Sequence, residues 1–129
     1  MKDLTIFFQN KPGSLADMGE ILGREGINIE GLCALPFDNK FIVHILVKDA
    51  FKARTALLKA NFDVKAERDV VVFSKSKKNI VGRPGSFGEI CRRLASEKIS
   101  IDLAYAAEDN KFVFGVNDIE KTLSILSLN

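Results

Sequence analysis

The chain has 129 residues, 47% of them hydrophobic and 28% charged, with 19 Lys and Arg against 17 Asp and Glu. So much apolar material at a net charge of +2 excludes a disordered chain. The longest apolar runs fall well short of the ~20 residues a bilayer-spanning helix needs, and the balanced charge argues against a nucleic-acid-binding surface. Leu4 to Phe8 is a short β-prone run, followed by the Pro12-Gly13 breaker, with Gly13 or Ser14 standing where a helix N-cap belongs. Leu15, Met18, Ile21 and Leu22 carry a helical period, which Gly26 ends. Ile27-Asn28-Ile29 opens a second strand running to about Leu35, Pro36 to Lys40 turns, and Phe41 to Val47 is a third strand. Asp49 caps a second helix through Ala60, with Phe51, Ala53, Ala56, Leu57 and Ala60 available to its inner face. The chain then extends through Val64 and Val70 to Phe73.

The same order begins again. Lys11-Pro12-Gly13-Ser14-Leu15 matches Arg83-Pro84-Gly85-Ser86-Phe87 at an offset of 72, and Met18, Leu22, Ile27 and Ile29 land on Ile90, Leu94, Ile99 and Ile101. With one residue deleted, Asp38-Asn39-Lys40-Phe41 matches Asp109-Asn110-Lys111-Phe112. The chain is therefore a duplication. Each copy reads as βαββαβ, the ferredoxin-like α+β unit, with an antiparallel sheet and its helices on one face. The first copy spans 1–69 and the second 70–129. The second ends after a helix opened by Asp118 and carrying Ile119, Leu123 and Leu126, so it lacks a closing strand. The run 70–74 is then asked to close the first unit and open the second. The sheet face away from the helices calls for a covering partner, and a second copy of the chain is the expected one.

Little in the sequence points to catalysis. No G-x-S-x-G elbow, H-E-x-x-H helix or P-loop motif occurs, and no cluster of metal ligands is apparent, so no cofactor or metal is expected. His44, the single histidine, sits in a strand and shares a face with Ile42 and Leu46, which reads as structural. Cys33 and Cys91 lack C-x-x-C spacing and read as small buried hydrophobes. Lys75, Lys77, Lys78 and Arg83 read as a solvated loop. The start, Met1-Lys2-Asp3-Leu4, has no signal-peptide pattern, so the expected location is cytoplasmic.

The informative place is the strand-to-helix turn. Pro-Gly before a helix lets the backbone turn with no side chain in the way, leaving the first helical N–H groups at the positive end of the helix dipole. A carboxylate suits that place. Asn10, before the turn, and Asn28, near the second strand, add amides that both donate and accept. Such a set matches a ligand with a carboxylate and an ammonium. A capped tight turn without a ligand explains the same residues.

Asn10-Lys11-Pro12-Gly13-Ser14-Leu15, followed by Glu25-Gly26-Ile27-Asn28-Ile29, resembles the ACT domain, a family of small βαββαβ modules that bind amino acids and regulate metabolism. The resemblance covers essentially the whole chain as two tandem copies. It implies a ligand at an interface between modules, with the backbone of Gly13, Ser14 and Leu15 on its carboxylate, Pro12 shaping the loop, and Asn10 and Asn28 on its ammonium or side chain. The second copy departs from this pattern: Gly82 and Ser100 stand where the asparagines would be. Arg83, Pro84, Gly85, Ser86, Phe87 and Ser100 make a second candidate site, in which Arg83 is the group available to a carboxylate.

Three functions follow as expectations. The first is a non-catalytic amino-acid sensor working as a homo-oligomer, a dimer in the simplest case, without nucleic acid or membrane. The second is a regulatory subunit of an amino-acid biosynthetic enzyme, of the acetolactate-synthase small-subunit type. The third is an RNA-binding ferredoxin-like domain, with Phe41, Phe112 and Phe114 as its stacking rings. Those rings lack the surrounding basic and glycine residues of an RNA-binding strand, which favours packing.

Overall fold

The computed structural model describes residues 1–128. The chain divides into two compact units, Met1–Asp69 and Val70–Asn129. In the first, β1 (Lys2–Gln9) is followed by α1 (Ser14–Arg24), β2 (Gly31–Phe37), β3 (Lys40–Val47), α2 (Ala50–Lys59) and β4 (Asp63–Asp69). β1 pairs antiparallel with β3, from Lys2 opposite Val47 to Gln9 opposite Lys40. β4 lies on the other side of β1, with a register shift between Thr5 and Ile6, and β2 lies outside β3. The order is therefore β4-β1-β3-β2, a complete ferredoxin-like sheet.

Alternation places Leu4, Ile6, Val43, Ile45 and Val47 on the face covered by the helices, where they pack with Met18, Leu22, Ala53 and Leu57. Each fully buried aliphatic side chain contributes on the order of 1.5–3 kcal/mol. α1 buries Met18 and Leu22 as expected, but Ser14 rather than Leu15 takes the first buried position, and Leu15 is 40% exposed. α2 starts where expected, with Asp49 Oδ1 accepting the Lys52 N–H at 3.0 Å. It buries Ala50, Ala53 and Leu57, which turns Phe51, placed on the inner face by the sequence reading, 71% out into solvent.

The second unit contains β5 (Val71–Ser74), α3 (Ser86–Ser96), β6 (Ile101–Ala107), β7 (Lys111–Val116) and α4 (Ile119–Leu126). β7 is central, antiparallel to both β5 and β6. Val71, Phe73, Ile90, Leu94, Phe114 and Leu126 form its core. Asp118 Oδ1 accepts from the Lys121 N–H at 3.0 Å, repeating the Asp49 cap. This is the same α+β unit without its last strand among the described residues.

Three expectations change. The first unit is closed by Asp63–Asp69 pairing with β1, whereas Val71–Ser74 pairs with β7. β4 was obscured because DVKAERD is almost wholly polar and its pairing comes from the neighbouring strand rather than from its own apolar content. β2 starts at Gly31 rather than Ile27, and it continues through Pro36, leaving only Asp38 and Asn39 as the turn. Pro36 is tolerated because proline needs only a ladder position that asks for no donor. Both cysteines are only partly buried, and packing against the second core pushes the Cys91 thiol pKa up by desolvation.

Candidate functional site

The turn after β1 has the shape its sequence implies. Gly13, at φ 92°, caps α1 from the left-handed region, and no side chain caps the helix. Ser14 is not the cap. It is the first helical residue, 6% exposed, and its hydroxyl donates backward to the Gln9 carbonyl at 3.0 Å. Its N–H bonds the Lys11 carbonyl at 3.3 Å and the Asp17 N–H bonds that of Gly13 at 2.8 Å, so the turn is locked at both ends. Asn10, Lys11, Pro12, Gly13, Leu15, Ala16 and Phe41 line an open depression of about 370 Å³ there. The helix dipole makes this mouth favourable for an anion.

Asn28 lies elsewhere. It precedes β2 by three residues, and Gly31 sits opposite Leu46, at the Lys2 end of β1, whereas Asn10 follows the other end. α1 carries the chain back along the sheet, so the two asparagines of one unit stand at opposite ends of it, roughly 20–25 Å apart along the strands. The Asn28 Nδ2 donates to Glu30 Oε2 at 2.6 Å, which adds a carboxylate that the sequence reading had not weighed. An amide beside a carboxylate favours a cationic group over an anionic one.

The second turn repeats the backbone but not the chemistry. Gly85, at φ 84°, again caps its helix without a side chain, and Ser86 is again buried. Arg83, expected to await a carboxylate, already pairs with Glu89. The Phe87 ring lies 5.1 Å from Phe112, edge-on, and 6.0 Å from Phe114, stacked. Aromatic packing thus lies directly beside Pro84 and Gly85. The Ser100 N–H donates to Asn117 Oδ1 at 3.0 Å.

The basic loop is more engaged than a solvated segment would be. Lys75 Nζ stands 4.5 Å from the Phe112 ring centre and Lys78 Nζ donates to the Ser127 carbonyl. The rings weighed for RNA stacking serve the cores: Phe114 is fully buried, and Phe41 and Phe112 pack against their own clusters. His44 is 19% exposed, with Nδ1 2.9 Å from Oδ2 of Asp3, itself wholly buried. Among the described residues, no group of three or more His, Cys, Asp or Glu side chains is placed to hold a metal, and no helix is long and apolar enough to cross a membrane.

No family model matches the sequence, and no curated protein matches it. Solved structures do. Protein BT0572 from Bacteroides thetaiotaomicron is 29% identical, with a TM-score of 0.81 over 98% of this chain and 85% of that one. The regulatory subunit of aspartate kinase from Thermus thermophilus, in ligand-free form, is 16% identical, with a TM-score of 0.72 over 98% of this chain and 87% of that one. The corresponding subunit from Thermus flavus is 16% identical, with a TM-score of 0.64 over 98% and 88%. The fold is ACT-like. At such identities the ACT-like architecture is what the kinase subunits share with this chain, and the turns after β1 and β5 are its strand-to-helix loops.

Proposed function

We propose that this chain is a non-catalytic, cytoplasmic regulatory protein of the ACT family that binds a free amino acid at its first turn. The observation that carries the reading is the left-handed Gly13 before a helix with no side-chain cap, at an open depression of about 370 Å³. Of the expected backbone donors Gly13, Ser14 and Leu15, the Ser14 N–H is held by the Lys11 carbonyl, so the N–H groups of Gly13 and Leu15 take the carboxylate, with Pro12 fixing the loop and Asn10 at its mouth. Asn28, with Glu30, suits the ammonium. Because Asn28 lies at the far end of its own unit, it reaches a ligand at this turn only from another module, in a second copy of the chain. That geometry favours a symmetric dimer, with the ligand stabilising one arrangement of modules that a partner reads. At the second turn, Arg83, Pro84, Gly85, Ser86, Phe87 and Ser100 serve packing more than binding. Thermal-shift measurements with each of the common amino acids test the reading. At least one should raise Tm, and Asn10→Ala and Asn28→Ala should each weaken its effect. No response to any amino acid at about 10 mM would overturn it, since saturating ligand stabilises the state it binds.

The likeness in fold to regulatory subunits of aspartate kinase supports a narrower version, in which the partner is an amino-acid biosynthetic kinase rather than an acetolactate-synthase-type enzyme. Ligand-dependent inhibition of a co-purified kinase would establish it.

A further inference from the structure

α2 holds apolar side chains in solvent that its fold does not need. Phe51 is 71% exposed and Leu58 50%. They stand seven residues apart, two turns along one side of the helix and roughly 10 Å from each other. The duplication shows what a merely solvated helix carries at these positions. Asp49 and Asp118 are matched caps, and from them α2 and α4 align residue for residue. Ala53 and Leu57, wholly buried, fall on Thr122 and Leu126, which are buried too. Phe51 falls on Glu120 and Leu58 on Ser127, the residue that ends α4, and both of these are polar and exposed. The fold therefore accepts polar groups at both positions, and the first unit fills them with a ring and an isobutyl group.

Charge runs along the same helix. α2 contains Lys52, Arg54 and Lys59 and no carboxylate. Arg54 is already engaged: its Nε stands 3.2 Å from Glu67 Oε1, and its guanidinium lies 5.9 Å from the Phe51 ring centre. Among the described residues, neither Lys52 nor Lys59 has an ion-pair or side-chain hydrogen-bond partner. These two are also seven residues apart, and with Phe51, Thr55 and Ala56 they line an open cavity of about 410 Å³. Glu25 and Asp49 line it as well, but the Asp49 carboxylate is committed to the Lys52 N–H at 3.0 Å. The helix thus presents two apolar anchors beside two unpaired ammonium groups, both pairs repeating at two helical turns.

We propose that this face of α2 docks an acidic amphipathic helix of another protein, whose apolar side chains lie on Phe51 and Leu58 and whose carboxylates meet Lys52 and Lys59. Anchors seven residues apart match the repeat at which such a helix presents its own apolar and charged rows. A second copy of this chain suits the face poorly, because a two-fold contact through α2 sets lysine against lysine. A bilayer suits it poorly too, since the apolar row is only two side chains long on a ten-residue helix and the Glu25 carboxylate lines the cavity beside it. None of these residues belongs to the first turn or is one of its asparagines, so the docking face exists whether or not an amino acid binds there. Titration of the full ¹⁵N-labelled chain with a 14-residue amphipathic peptide of leucine, alanine and glutamate tests it, beside the same peptide with lysine in place of glutamate. The acidic peptide should move the amide signals of Phe51, Thr55 and Leu58 at concentrations below about 1 mM. Phe51→Ala and Leu58→Ala should each weaken that binding about fivefold or more, with Tm unchanged because both side chains are exposed. Lys52→Glu combined with Lys59→Glu should weaken it about threefold or more, and the lysine peptide should fail to bind. No shifts at α2 up to about 1 mM, equal binding of the two peptides, or binding that Phe51→Ala does not weaken would each overturn the proposal. Self-association of the chain, or binding to phosphatidylserine vesicles, that Phe51→Ala abolishes would overturn it in favour of a second copy or a membrane. Thermal-shift responses to amino acids, which Phe51→Ala should leave intact, report on the first turn separately.

Discussion

Gly26 and Lys98 end the first helix of their respective units with the same left-handed backbone, at φ 71° and 63°. In each, the next isoleucine returns a hydrogen bond to the helix: Ile27 N–H to Leu22 O, and Ile99 N–H to Leu94 O, both at 2.9 Å. Glycine takes this conformation without steric cost, whereas a lysine pays for a Cβ pressed toward its neighbouring carbonyl. Lys98→Gly should therefore stabilise the protein by about 1 kcal/mol, and Gly26→Ala should destabilise it by a similar amount. Urea denaturation of the two variants beside the parent chain measures both. A lower midpoint for Lys98→Gly would contradict the argument.

The second helix of each unit depends on a single aspartate. Asp49 and Asp118 each accept the N–H three residues on at 3.0 Å. Alanine at either position should cost about 1 kcal/mol, and asparagine should restore most of it, because an amide oxygen caps as well as a carboxylate. Chemical denaturation of the four variants checks the pairing of loss and rescue.

Asp3 should matter more than either cap. It is wholly buried, and its Oδ2 lies 2.9 Å from His44 Nδ1, with Thr5 Oγ1 at 3.3 Å from the same nitrogen. Removing its carboxylate leaves the half-buried imidazole with one partner fewer. Asp3→Ala should cost about 1–3 kcal/mol, clearly more than Leu15→Ala at a 40% exposed site. Equal midpoints for the two variants would count against the pair.

The Cys91 thiol should react slowly in the folded chain. Desolvation raises the Cys91 pKa above the ordinary thiol value, which lowers its thiolate fraction in the folded state. Iodoacetamide at mildly alkaline pH should therefore alkylate Cys91 faster in urea than in buffer, read by mass spectrometry. The same shift has a linkage consequence with a definite sign. Stability from Cys91 is fully present below the unfolded thiol's pKa and declines as pH rises through the folded one. Cys91→Val should flatten the alkaline end of the stability profile.

The duplication, the strand-to-helix turns, both aspartate caps and the glycine stop of α1 were legible in the sequence. Each rests on interactions between residues close in the chain, for which residue type and spacing carry the information. β4 was only partly legible: the extension at Val64 was, but that the mostly charged Asp63–Asp69 closes the first unit was not, because it becomes a strand on the unpaired edge that β1 offers. Phe51 was misplaced for a related reason. Ala50, Ala53 and Leu57 already fill the space under α2, and a helix only ten residues long has one face to bury.

The sequence by itself determined that this is a twofold repeat of a ferredoxin-like unit with a Pro-Gly turn before each first helix. It also marked Asn10 and Asn28 as candidate amides. Only the tertiary structure decided that these amides lie at opposite ends of one sheet, that Phe87 stacks beside the second turn, and that Arg83 pairs with Glu89. The physical reason is range. Turns and caps are made by groups within a few residues of each other, whereas the meeting of side chains across a site depends on strand register and helix direction, which no local pattern records.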